Sequence, residues 1–100
     1  MITREDLKPG HQLAQTGHGI AQFLLEYPEL GKLWNNHYLI SLSVNSKDKI
    51  ENLLTKLNDI DIPISYFTEP DFDNELTSIC FLETEDTKKF TNKLKLTFKN

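Results

Sequence analysis

The sequence has one cysteine, Cys80, in 100 residues. An internal disulfide is therefore excluded, and no pair of thiolates exists for a structural zinc site. Glycine and proline number four each, too few for a flexible linker, and there is no repeat or low-complexity tract. No apolar run approaches the roughly 20 residues of a membrane-crossing helix. The opening Met1-Ile2-Thr3-Arg4-Glu5-Asp6 is too polar and acidic for a secretory leader, so a cytoplasmic protein is expected. Positive charge is in deficit: 11 bases against 15 acids leave a net charge of −4 and a pI near 5.3. That balance argues against a protein that coats nucleic acid without specificity, although a local basic patch is compatible with it. What is present is an ordinary globular composition, 38% hydrophobic and 26% charged. It suffices for one modest core, so residues 1–100 are expected to form a single domain.

The periodicities predict an α/β chain. Ile2 to Arg4 reads as a short strand, Lys8-Pro9-Gly10 as a turn, and the following residues to about Tyr27 as a long helix. Leu13, Gly17, Ile20, Leu24 and Tyr27 share one face of that helix, opposite His11, Gln15, His18 and Gln22. The apolar face, with Ala14, Gly17 and Ala21 on its flank, is expected to pack on a sheet. Pro28 stops the helix and opens a shorter one to Trp34. Tyr38 to Val44 alternates like a strand, and Trp34 and Tyr38 are expected to pack in the core. Asn45 or Ser46 caps an amphipathic helix from Lys47 to Asn58, built on Ile50, Leu53, Leu54 and Leu57. Ile64 to Thr68 and Leu76 to Leu82 read as strands, Glu69 to Asn74 as the loop between them, and Glu85 to Leu94 as a last helix. Lys95 to Asn100 is left as a tail or a short extended piece. The order β, α, α, β, α, β, β, α implies an α/β sandwich with a mixed sheet flanked by helices.

Arg4-Glu5-Asp6-Leu7-Lys8-Pro9-Gly10, followed by Ala14-Gln15-Thr16-Gly17-His18, resembles the first loop and helix of the archaeal and eukaryotic type of peptidyl-tRNA hydrolase. Ile64 to Glu69 is similar to that family's strand ending in an acid, and Leu76-Thr77-Ser78-Ile79 to its threonine-bearing last strand. Glu69-Pro70-Asp71 and Asn74-Glu75-Leu76-Thr77 look closest to small bacterial and phage relatives. The resemblance runs from Arg4 to the closing Leu94-Lys95-Leu96. It implies a four-stranded mixed sheet and hydrolysis of the ester joining a nascent peptide to tRNA, with peptidyl-tRNA as partner and no cofactor. The chain departs from the family at His11, where a lysine is usual, at Glu69-Pro70, where aspartate precedes Ala-Gly, and at Glu83-Thr84, where Gly-Pro is usual.

The candidate catalytic residues are His18, His11, Gln15, Glu69 and Thr77. A neutral imidazole at 18 or 11 can take a proton from water attacking an ester, Glu69 can orient it, and Gln15 and Thr77 can hold the carbonyl. Residues seven apart on a helix stand about 10 Å apart along its axis, so His11 and His18 are not expected to share a metal. Asp71, Asp73 and Glu75 are read as a solvated acidic loop, Asn74 as a turn residue, and Cys80 as a buried hydrophobe that is no nucleophile. Residues 87–100 carry Lys88, Lys89, Lys93, Lys95 and Lys99 with no acid. With Lys8 at the start of the first helix, Lys88, Lys89, Lys93 and Lys95 are the candidate phosphate contacts. Two other readings stay open: a catalytically inactive binding or regulatory module of the same fold, and a hydrolase of a small non-tRNA ester or amide. An apolar edge leaves room for a homodimer.

Overall fold

A computed structural model describes residues 1–99. Ten elements follow in the order β1 (Ile2–Arg4), α1 (Pro9–Glu26), α2 (Pro28–Trp34), β2 (Leu42–Val44), α3 (Lys47–Asn58), β3 (Ile64–Glu69), a single 3₁₀ turn (Pro70–Phe72), β4 (Glu75–Phe81), α4 (Glu85–Thr91) and β5 (Lys95–Leu96). The sheet is mixed and has five strands in the order β3-β4-β1-β2-β5. The expected α/β class and element order hold. The count of four strands does not, because Lys95–Leu96 pairs antiparallel with β2, Leu42 opposite Leu96 and Ser43 opposite Lys95. Two residues are too short to leave a periodic signal. They are held by partners distant in sequence, including the Thr97 amide on the Ser41 carbonyl at 2.8 Å.

The two faces of the sheet differ in chemistry. One row across the strands is apolar: Leu42, Ile2, Ile79 and Tyr66 lie in register. On that face Ile50, Leu53 and Leu57 of α3 close a core with Ile2, Val44, Leu76, Ile79 and Phe81. The serine at the α3 N-cap accepts from the Lys49 amide at 3.2 Å, as a capping residue should. The adjacent row, Ser43, Thr3, Ser78 and Phe67, is mostly hydroxyls, and α1 lies over it.

This surface reverses the face expected of α1. Its buried residues are Gln12, Gln15, Gly19 and Phe23, while Leu13 is 66% exposed. Ala14, Gly17 and Ala21 face solvent, and the close approach occurs at Gly19 instead. A β-carbon there would stand 2.6 Å from Ser78 Oγ and 2.9 Å from Met1 Cε. The physical reason is complementarity: a hydroxyl-lined row accepts amide side chains and a glycine. The wide apolar stripe of α1 has no apolar row beneath it over its first half.

Two further expectations are corrected. Only Leu42–Val44 of the expected strand Tyr38 to Val44 is paired, since Arg4 ends the neighbouring β1 at Val44 and β1 begins only at Ile2, opposite Leu42. Tyr38 does not enter the core: the residue is 89% exposed, although its carbonyl accepts from Trp34 Nε1 at 2.8 Å. No helix among the described residues is long and apolar enough to cross a membrane.

Arg4 is almost wholly buried and holds the start of β4 to the end of β1. Its guanidinium donates to both carboxylate oxygens of Asp6 at 3.0 and 2.7 Å, to Glu75 Oε1 at 2.8 Å and to the Leu76 carbonyl at 3.2 Å. The guanidinium beside Asp6 holds that carboxyl below its ordinary value of 3.8. A carboxylate with a depressed folded-state pKa stabilises the fold above its unfolded pKa and loses that contribution as pH falls through the folded value. The melting temperature of Asp6→Asn is therefore expected to lie below that of the native protein at neutral pH. The two should converge as the pH is lowered through that depressed value and Asp6 takes up its proton. Arg4→Met should cost about 2 kcal/mol in urea unfolding, because it strands a partly buried Glu75 and the Leu76 carbonyl.

Candidate active site

The site is built where α1 crosses the hairpin of β3 and β4. The pairing of these strands slips between Phe67 and Thr68: Phe67 faces Ser78, but Thr68 faces Leu76. Thr77 is the extra residue of the resulting bulge, which turns its side chain towards α1. Thr77 Oγ1 donates to Gln15 Oε1 at 2.7 Å, with the Phe67 carbonyl at 3.3 Å as the weaker acceptor. Gln15 Nε2 in turn donates to Glu69 Oε1 at 2.9 Å. Three residues separated by 54 and 62 positions along the chain thus form one continuous hydrogen-bonded line.

Burial divides this line. Thr77 and Gln15 are buried, whereas Glu69 at the end of β3 is only partly covered. The amide of Gln15 accepts at oxygen from Thr77 and donates at nitrogen to Glu69, so the carboxylate polarises the amide and strengthens the bond it receives from the Thr77 hydroxyl. One turn along α1, the exposed His18 ring lies flat on Phe67, with centroids 4.5 Å apart and planes 10° apart. His11 lies one turn the other way and tilts against Phe72 at 5.3 Å. Neither imidazole has a hydrogen-bond partner among the described residues.

The Glu69-Pro70 step shapes the far wall. Proline is favoured in the first turn of a helix, and Pro70 opens the 3₁₀ turn that carries Phe72 to His11. Asp73 and Asn74 close the hairpin with left-handed φ of 53° and 60°, and the Asn74 amide returns to the Glu69 carbonyl at 2.9 Å. Asn74 is a turn residue, as expected. Of the acidic loop, Glu75 belongs to Arg4, and no group of three or more metal-ligating side chains occurs among the described residues.

Strands β1, β2 and β3 run in one direction, and β4 and β5 in the other. The ends of the first three and the starts of the last two therefore share one end of the sheet. Glu69, Arg4, Lys95 and the start of α1 at Lys8 all belong to that end. Lys95 sits on the far edge, three strand spacings or about 14 Å from β4, where it meets Glu5 at 3.7 Å. Lys88 and Lys89 lie on α4, which follows the opposite end of β4. Lys88 pairs with Glu85 at 3.1 Å, and Lys89 sits 5.1 Å from the centre of the Phe90 ring. Lys93 is exposed beyond α4. The five lysines do not form one patch with the site.

Sequence reading missed Arg4, Phe67 and Phe72 as parts of the site. A charged residue closing a short strand was the available signal for Arg4. The bulge at Thr77 had none, since it depends on cross-strand register. Cys80 is half-buried rather than fully buried, and burial pushes its thiol up, away from the reactive thiolate.

No protein-family model matches the chain, and no curated protein matches it in sequence.

Proposed function

We propose that this protein hydrolyses the ester that joins a peptide to tRNA. The observation that carries the reading is the bonded line Thr77–Gln15–Glu69, which ends at a surface carboxylate on the same stretch of α1 and β3 as His18. His18 takes a proton from a water whose oxygen attacks the ester carbonyl. The bond from carbonyl carbon to the terminal ribose oxygen of the tRNA breaks, and the proton passes to that oxygen. Glu69 orients the water. Gln15 and Thr77 are positioning residues, because neither is exposed enough to meet a substrate; they hold Glu69 in place. The first amides of α1 beside Lys8 offer a place for one phosphate, and Lys95 at the same end of the sheet offers a second contact.

The test is peptide release from purified peptidyl-tRNA by the native protein. Two phosphate contacts predict that kcat/KM falls roughly tenfold between 50 and 200 mM salt. Turnover that ignores salt would transfer the reading to a small ester or amide. A folded protein without turnover above buffer would leave the binding module, which is favoured by the burial of Gln15 and Thr77 against each other.

A further inference from the structure

An exposed apolar surface lies away from the site, around the segment between α2 and β2. Tyr38, Leu39 and Ile40 are 89%, 55% and 49% exposed, and Leu33 of α2 and Leu24 of α1 are 76% and 39% exposed. All five line the rim of one cavity of about 390 Å³, whose floor includes Phe23 and Cys80. The segment is patterned as a strand but joins no ladder, since β2 begins at Leu42; only the Met1 amino group on the Ile40 carbonyl and the Trp34 indole on the Tyr38 carbonyl hold its backbone there.

We infer that this face is the interface of a homodimer, in which the Tyr38 ring of each copy fills the cavity of the other. Area supports a second copy as the occupant. The exposed fractions of these five residues amount to several hundred Å² of residue surface per copy, below but of the order of the roughly 800 Å² per partner of a standard protein interface. Monomers seldom expose more than a few hundred Å² of continuous apolar surface. Shape supports it as well. A two-fold interface must be self-complementary, and this face carries a protruding ring and a hollow side by side. Charge is sparse at the contact: Glu83, His37 and the Met1 amino group are the acids and bases among the cavity-lining residues, and they are not all of one sign.

Sedimentation equilibrium from roughly 1 to 300 µM tests the interface, because a contact at the small end of the standard range predicts micromolar association. The native protein is expected to approach twice 11.6 kDa. Tyr38→Asp and Leu33→Asp are expected to raise the dissociation constant at least about a hundredfold, with unchanged far-UV circular dichroism because both side chains are exposed. Alkylation of Cys80 should slow as the native protein associates, and should not slow in Tyr38→Asp. A native protein that remains monomeric across this range overturns the proposal, whether or not the cavity binds an apolar dye. Dimers that persist in both variants overturn it too, by placing the interface elsewhere.

Discussion

His18→Ala is expected to lower kcat for peptide release by about 10² to 10⁴, the usual contribution of a positioned general base. KM should stay nearly unchanged, because the imidazole is assigned no phosphate contact. The loss should be specific to turnover: His18 is exposed and its ring lies on Phe67, so the melting temperature should move little. Thr77→Val distinguishes the positioning line from the base. It keeps the shape of the buried side chain but removes the donor that Gln15 Oε1 receives at 2.7 Å, leaving that oxygen unpaired and Glu69 less firmly held. A drop in kcat of about tenfold to a hundredfold is expected, and Thr77→Ser should restore most of it. If serine fails to rescue while the protein stays folded, the hydroxyl has no part in turnover. Turnover unaffected by His18→Ala would exclude this histidine as the base.

Gly19→Val is expected to destabilise the protein by about 3 kcal/mol, while Gly17→Ala in the same helix is expected to stabilise it by roughly 0.5 to 1 kcal/mol. The opposite signs follow from what each new β-carbon meets. At 19 it would lie 2.6 Å from Ser78 Oγ and 3.1 Å from Ser78 Cβ, so α1 must lift from β4; at 17 nothing stands within 4 Å. Urea unfolding of the two variants checks both signs. Lifting α1 also pulls Gln15, one turn away, from Thr77 and Glu69, so Gly19→Val should lose turnover along with stability. Equal stability of the two variants would mean that α1 does not rest on Ser78.

Much of the chain was legible before folding. The α3 helix follows from Ser46 as cap and from Ile50, Leu53 and Leu57 at helical spacing, and these residues close the core as periodicity predicts. The breaks at Pro28 and at Asp73-Asn74 follow from backbone restrictions local to those residues. Gln15, Glu69 and Thr77 were singled out as separate positions, and folding joins them by direct hydrogen bonds. The role first expected of Gln15 and Thr77, direct contact with an ester, gives way in the proposed reading to positioning, because burial is a property of the assembled layers.

Local pattern thus decided the elements of this protein: which residues turn, cap, alternate or repeat at helical spacing depends on neighbours a few positions away. Tertiary structure decided the rest. The inward face of α1 depends on the hydroxyl row beneath it, the aim of Thr77 on a register slip against β3, and the fifth strand on partners more than 50 residues distant. Each of these is settled by which surface meets which, and the free energy of that meeting belongs to no single segment.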